Sequence, residues 1–317
     1  MNSDDKLFLL DAYALIYRAY YAFIKSPRIN SKGFNTSAIL GFVNTLEEVL
    51  KKENPTHIGV AFDPAGPTFR HEAYEQYKAQ REETPEAIRL SVPIIKDIIR
   101  AYRIPILEVA GYEADDVIGT LATEAGQQGI TTYMMTPDKD YGQLVSENVF
   151  MYRPKHTGGF EVMGIEQVKA KFDIQSTQQV IDMLGLMGEH TDKLKGALKT
   201  KVENNREMII FSKFLATIKI DVPIKLDMKA LVREEPNEEE LRKIFEELEF
   251  RTLIDRVLKK SSSPSPSSVA PDLFSPGPLF TQNNGPVQGN LFEEFASNGP
   301  EDSKNSNLAR LETINAD

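Results

Sequence analysis

Seven carboxylate side chains occupy positions where they could bind metal ions together. Three follow short apolar segments: Asp11 after LFLL, Asp63 after IGVAF and Asp138 after MMTP. The other four are Glu113, Asp115 and Asp116 at the start of a helical pattern, and Asp140 two residues beyond Asp138. In open α/β sheets, ligands bind beyond the carboxyl ends of the strands. The spacing therefore predicts that all seven carboxylates face one crevice.

Clustered carboxylates repel one another unless cations neutralise them. Oxygen ligands select hard cations, so we expect two or more Mg²⁺ or Mn²⁺ ions. Two such ions about 3.5–4 Å apart can clamp the attacking and leaving oxygens of an in-line phosphoryl displacement and generate a hydroxide nucleophile. The chain has no Cys, which excludes thiolate zinc sites and Cys nucleophiles, and its four His residues form no ligand pattern.

Each carboxylate taken alone has a simpler interpretation. A single Asp at the end of a strand often caps a turn, and acids at the start of a helix complement its dipole. Seven acids at one sheet edge are harder to explain as caps, which favours the metal site. A phosphatase with an Asp nucleophile would need Asp-x-Asp at the first strand, and Asp11-Ala12-Tyr13 lacks it.

A basic segment follows Asp63. Its charged and aromatic residues have helical spacing, so the pattern predicts a helix that presents them on one face: Arg70, Tyr74, Tyr77, Lys78 and Arg81. Arg and Lys would grip phosphates, and Tyr would stack on an unpaired base. The alternative is a solvated surface helix with two half-buried tyrosines.

Apolar segments alternate with helical patterns along the chain. Strands are predicted over 6–11, 57–63, 103–109 and 131–138, and helices over 36–52, 84–101 and 114–127. This alternation predicts an α/β fold with a mostly parallel central sheet flanked by helices.

Composition indicates a soluble protein with an unstructured tail. The chain has 317 residues, of which 41% are hydrophobic and 26% charged. We expect a cytoplasmic protein, because the sequence has neither a signal peptide nor an apolar run long enough to span a membrane. The net charge of −10 gives no support for a nucleic-acid partner and does not exclude one. Residues 260–317 are rich in Ser, Pro, Gly and Asn and predict disorder.

Four multi-residue motifs in order resemble a known family. LFLLDAYALIYRAYYAF, VAFDPAGPTFRHEAYEQYKAQR, GYEADDVIGTLA and MTPDKDYGQLV resemble the 5′-nuclease domain of bacterial DNA polymerase I. They are also similar to flap endonucleases and phage 5′-exonucleases. The resemblance covers nearly all of residues 6–259.

This resemblance implies a PIN-like 5′-nuclease fold and an enzyme that removes RNA primers and 5′ flaps, or acts at nicks, during replication and repair. It implies metal ligation by all seven carboxylates. It also places Lys78 and Arg81 in a gateway for the 5′ flap, with Arg70 and Tyr77 near the scissile phosphate. The implied location is the bacterial nucleoid.

The sequence departs from the family after Gly188. The family continues there with an Asp-x-x-Asp pair and a Gly- and Lys-rich helix–hairpin–helix segment that binds duplex DNA; no such segment is present here. Glu189 and Asp192 have the spacing of the missing pair, but we favour their belonging to the downstream segment. We therefore divide the chain into a catalytic α/β domain (1–188), a helical part (189–259) and a tail (260–317), with no polymerase domain.

Loss of this segment leaves an alternative function open, namely a catalytically weak DNA-binding or clamp-tethered module. The tail contains Gln288-Gly-Asn-Leu-Phe292, which resembles peptides that dock into bacterial sliding clamps. Two apolar anchors and a Gln suffice for such docking. The alternative is a chance Leu-Phe pair in a disordered tail.

Overall fold

The computed structural model describes residues 5–155, 158–172, 196, 200 and 204–258. All of them belong to one compact unit, 1–274. Its centre is a six-stranded sheet in the order β3-β2-β1-β4-β5-β6. The strands are β1 (Lys6–Asp11), β2 (His57–Ala61), β3 (Ile106–Leu107), β4 (Thr131–Met135), β5 (Val149–Pro154) and β6 (Phe160–Met163). All neighbouring strands run parallel except β5 and β6, which are antiparallel.

Helices cover both faces of the sheet. They are α1 (Ala12–Ala22), α2 (Ser37–Lys52), α3 (Phe69–Ala73), α4 (Glu86–Ala101), α5 (Ala114–Gln127), α6 (Ile165–Phe172), α7 (Arg206–Ala216), α8 (Glu238–Glu247) and α9 (Arg251–Leu258). A 3₁₀ helix spans Lys139–Leu144. None of the described helices has both the length and the apolarity needed to cross a lipid bilayer.

The central strand β1 is buried on both faces because its side chains alternate between two cores. Phe8 and Leu10 pack with α1, α2, α4, α8 and α9, whereas Leu7 and Leu9 pack with α5 and α6. A strand covered on both faces needs a nearly continuous apolar sequence, which is what KLFLL supplies.

The strand order reverses between β1 and β4. From β1 the chain builds outward through β2 and β3 on one side, then returns to add β4 and β5 on the other. In doubly wound sheets such a switch point opens a crevice at the carboxyl ends of the strands. Asp11 is the last residue of β1, opposite Ala61 of β2, so its side chain stands at this crevice.

The predicted mostly parallel sheet flanked by helices is confirmed, and the predicted strands and helices form, with β3 shorter than expected. The predicted helix over the basic segment is wrong. Helix α3 ends at Ala73, Tyr74 is extended, and residues 75–80 form turns. Residues 75–83 carry few apolar side chains, so a helix continued through them would have no apolar face to pack against the core. Short helices are stable mainly through such packing.

Candidate active site

Three of the predicted acids are held at the crevice by short local contacts. Asp11 Oδ1 accepts a hydrogen bond from the Ala14 backbone N–H at 3.1 Å, which caps α1. Asp63 lies two residues beyond β2, and its Oδ1 accepts from the Ala114 N–H at 2.7 Å, so it is fixed to the start of α5. Asp138 Oδ1 accepts from the Asp140 N–H at 2.9 Å and caps the 3₁₀ helix. Each acid is thus oriented by a backbone donor.

Two hydroxyl groups contact the second oxygen of Asp11. The Tyr141 hydroxyl donates to Asp11 Oδ2 over 3.2 Å, and the Thr136 hydroxyl lies 3.3 Å from the same atom. Both residues are buried. Our sequence interpretation did not identify them, although both belong to the TPDKDY motif and Tyr141 directly follows Asp140.

The acids at the start of α5 meet the basic segment. Glu113 precedes the helix, and its Oε1 is 2.7 Å from Lys78 Nζ, while the Tyr77 hydroxyl donates to Oε2 at 3.2 Å. Lys78 has a φ of 59°, which is uncommon for a residue with a Cβ. The turns thus bring Tyr77 and Lys78 to the acids without the predicted shared helix face.

Arg70 is buried beneath this contact, with 1% of its side chain exposed. Its guanidinium forms a two-pronged pair with Asp116, with Nη1 to Oδ2 at 2.7 Å and Nη2 to Oδ1 at 2.8 Å. It also reaches Glu113 and the backbone carbonyls of Leu215 and Thr217. Hydrogen bonding to Asp116 and the surrounding acids raises the pKa of Arg70, against the lowering effect of burial.

Burial, with added repulsion from neighbouring acids, raises the pKa of Asp11, Asp63, Asp115 and Asp140. Burial, then the charges of Asp63 and Asp138, raise the pKa of Asp11 to about 7. Burial, then Asp138, raises the pKa of Asp140 to about 6. Burial, then Asp116 and Glu113, raise the pKa of Asp115 well above its ordinary value, and burial raises that of Asp63. In the described part of the chain no ion pair reaches Asp11, Asp63 or Asp115.

These carboxylates supply only oxygen donors, the ligands that hard divalent cations prefer, and a bound cation would favour their ionised forms. Among residues 5–155, 158–172 and 204–258, no group of three or more acids or histidines has the arrangement of a metal site. The seven-carboxylate ligand set therefore stays a prediction. Glu189, Asp192 and Gln288–Phe292 lie outside the described residues.

The family assignment rests on residues 6–173, which match the family model of the 5′-3′ exonuclease N-terminal resolvase-like domain. The chain belongs to the 5′-3′ exonuclease family. It is 34% identical to a 5′-3′ exonuclease of Aquifex aeolicus, over 82% of this chain and 98% of that protein. It is also 34% identical to DNA polymerase I of Bacillus caldotenax, over 81% of this chain and 33% of that protein. This chain therefore spans about a third of the length of its DNA polymerase I relatives.

Solved structures confirm the fold of this exonuclease-family chain. The T5 5′-exonuclease, described with bound divalent zinc ions, superposes with a TM-score of 0.55 at 15% identity, over 76% of this chain and 98% of that one. The bacteriophage T5 D15 flap endonuclease, described in complex with DNA and metal ions, gives a TM-score of 0.52 at 17% identity, over 77% and 99% of the chains. The resemblance found in the sequence motifs is thus confirmed.

Proposed function

We propose that this chain hydrolyses DNA phosphodiesters as a divalent-metal-dependent 5′-nuclease acting on 5′ flaps, nicks and RNA primers. The observation that carries the proposal is the set of acids oriented by backbone donors at the β1/β4 switch point, in a chain whose family is that of 5′-3′ exonucleases. Clustered carboxylates repel one another unless a cation neutralises them, and a group of acids with perturbed pKa values in a crevice is a candidate functional site. The metal-bound T5 5′-exonuclease supports divalent ions as that ligand.

The acids at the crevice would hold two or more Mg²⁺ or Mn²⁺ ions: Asp11, Asp63, Glu113, Asp115, Asp138 and Asp140. Bound ions would supply a hydroxide-like nucleophile and stabilise the charge that develops on the phosphate. Asp116, which we also predicted as a ligand, already accepts four hydrogen bonds from N–H groups.

Side chains of the basic segment would position the DNA. Lys78 is partly exposed beside Glu113, and its ammonium group would bind the phosphate next to the cleaved bond. Burial raises the pKa of Asp63, and the charge of Arg81 weakly opposes this rise. The exposed Arg81 guanidinium would guide the flap towards the acids. Tyr77 would pack against the substrate while its hydroxyl holds Glu113 in place.

The test is Mg²⁺-dependent cleavage of a 5′-labelled flap substrate. We expect wild-type protein to cut near the flap junction with Mg²⁺ and to be inactive with a chelator. Asp97→Asn is the matched control, because Asp97 is an exposed acid that pairs with Arg100 on α4; it should cut at the wild-type rate. Absence of cleavage by the wild-type protein under every divalent ion tested would refute the nuclease proposal.

The alternative, a DNA-binding module of low activity, is favoured by the lack of a hairpin segment after Gly188. Phosphate contacts set the salt dependence of DNA affinity. We expect lower affinity and a shallower slope of log K against log salt than in the same protein carrying a grafted hairpin segment. Equal slopes would show that this protein binds the duplex without the motif.

We propose that Gln288–Phe292 binds a bacterial sliding clamp. The support is the sequence alone, a Gln followed by a Leu-Phe anchor pair. Tethering would raise the local concentration of the nuclease at flaps. A labelled 284–296 peptide should bind the clamp, and the Leu291→Ala, Phe292→Ala double variant should not; equal weak binding of both peptides would contradict the proposal.

A further inference from the structure

The buried Arg70 uses its whole hydrogen-bonding capacity inside the protein. A guanidinium has five N–H donors. Here Nε donates to the Leu215 carbonyl at 2.8 Å, Nη1 to Asp116 at 2.7 Å and Glu113 at 3.4 Å, and Nη2 to Asp116 at 2.8 Å and the Thr217 carbonyl at 2.9 Å. Five acceptors therefore match five donors, and no donor remains for a DNA phosphate.

Asp116 is saturated in the same way. Its Oδ1 accepts from Arg70 and from the Lys219 backbone N–H, each at 2.8 Å. Its Oδ2 accepts from Arg70 at 2.7 Å and from the Glu113 backbone N–H at 3.1 Å. A carboxylate offers about four lone-pair positions, so a metal ion could bind Asp116 only by displacing one of these donors. The side chain is fully buried.

These bonds tie together three segments that are distant in sequence. Arg70 lies on α3, Asp116 in the first turn of α5, and Leu215–Lys219 at and beyond the end of α7. The Phe69 ring covers the guanidinium, with its centre 4.5 Å from Arg70 Cζ. Through Nη1 the arginine also contacts Glu113, the acid that Lys78 and Tyr77 contact from the other side. The pair thus fixes the turn of α5 that carries the proposed metal ligands.

We propose that Arg70 and Asp116 are positioning residues: a buried ion pair that orients Glu113 and Asp115 and contacts neither DNA nor a metal ion. This inference rests on the proposed nuclease function for its catalytic consequence. It reassigns two residues that we predicted, from the motifs, as a phosphate contact and a metal ligand. Substitution of a residue that orients a metal ligand typically lowers metal affinity or activity by about 10–100-fold.

The experiment is a double-mutant cycle with Arg70→Met, Asp116→Leu and the double variant. Arg70→Met leaves the buried Asp116 carboxylate without a cation, and Asp116→Leu leaves Arg70 with only the longer contact to Glu113. Both single variants should therefore unfold at lower urea concentration and cleave the flap at least about tenfold more slowly. The double variant removes both charges and should regain most of the urea resistance, with a cleavage rate at least as high as either single variant. Losses that simply add in the double variant would overturn the inference.

A second readout separates positioning from direct binding. If Arg70 bound a DNA phosphate, Arg70→Met would reduce the slope of log K against log salt by about one. If Asp116 were a metal ligand, Asp116→Asn would raise the Mg²⁺ concentration for half-maximal cleavage by more than about 100-fold, beyond the range of an orienting residue. We expect an unchanged slope and a shift below that limit; either larger effect would overturn the inference.

The two proposals fail differently. If wild-type protein shows no Mg²⁺-dependent cleavage, the nuclease function fails. Urea unfolding of the three variants and the salt dependence of DNA binding do not require cleavage. These two measurements still decide whether Arg70 and Asp116 act as a buried pair. If wild type and Asp97→Asn cleave equally but the two losses add, the nuclease function stands and the positioning role is refuted.

Discussion

Asp115 and Asp116 are adjacent in the first turn of α5, yet their surroundings are opposite. Asp116 accepts hydrogen bonds from Arg70 and from two backbone N–H groups. Asp115 accepts one from the Asp116 backbone, and burial, then Asp116 and Glu113, raise its pKa against the lowering effect of Arg70 and Lys78. Asp116 is fully buried, whereas Asp115 is only partly buried. The comparison shows that a place in an acidic motif does not define a role. What differs is whether a cationic side chain is hydrogen-bonded directly to the carboxylate.

The largest expected effect is the loss of DNA cleavage in the Asp115→Ala variant. Removing a proposed ligand should lower Mg²⁺-dependent cleavage by more than about 100-fold, the upper end of what an orienting residue costs. The fold should persist, because the change also removes a carboxylate whose ionised form is disfavoured by burial and by the charges of Asp116 and Glu113. Circular dichroism and flap cleavage on the same sample test both statements. A rate within about tenfold of wild type would remove Asp115 from the proposed metal site.

Stability should respond in opposite directions at the two neighbours. Asp116→Asn removes the two-pronged charge partner of Arg70, leaves it only the 3.4 Å contact to Glu113, and should cost about 3–5 kcal/mol in the free energy of unfolding. Asp115→Asn removes repulsion and should leave the metal-free protein as stable or more stable. Urea unfolding of both variants with a chelator present makes the measurement. Equal destabilisation by the two substitutions would contradict the contrast between them.

Asp11 extends the comparison to pH. Its pKa is raised in the folded protein to about 7 from 3.8, so the folded state binds the proton more tightly than the unfolded state. Protonation of Asp11 therefore stabilises the folded state, and this stabilisation is lost as the pH rises through 7. Metal-free protein should gain about 1 kcal/mol between pH 8 and pH 6 from this group.

The control for the pH effect is Asp11→Asn, which should lose most of that dependence. Saturating Mg²⁺ should also flatten it in the wild-type protein, because a bound cation favours the ionised carboxylate. Thermal unfolding at several pH values is sufficient. A wild-type stability that rises from pH 6 to pH 8 without metal would contradict the expected sign.

The smallest effect is expected at Tyr77, whose hydroxyl contacts Glu113 beside the Arg70–Asp116 pair. Tyr77→Phe removes only the hydroxyl that donates to Glu113 and should cost about 1 kcal/mol in stability. Cleavage should slow by a few-fold, while Lys78 still holds the other Glu113 oxygen. Tyr74→Phe is the matched control, since the Tyr74 hydroxyl contacts the exposed Gln76 instead. If Tyr77→Phe and Tyr74→Phe changed stability and cleavage equally, the Tyr77–Glu113 hydrogen bond would contribute to neither.

The sheet could be predicted from sequence because apolar runs such as KLFLLD and HIGVAFD carry local information about strands. The Asp residues after them follow from the geometry of parallel sheets. The helix predicted for the basic segment is wrong, since the charge spacing suits a helix but the extended Tyr74 turns the chain away. The partners of Arg70 could not be predicted. Leu215 lies 145 residues away and contributes a backbone carbonyl, a group that every residue possesses.

The two ends of the central sheet have a consequence for handling this protein at high concentration. Unpaired backbone groups on an edge strand invite pairing with another molecule. At one end β3 has only two residues, and at the other the antiparallel β6 has four, which caps the longer β5. Neither edge offers a long template. The sheet should therefore resist strand-to-strand aggregation during expression and crystallisation, whatever the occupancy of the crevice.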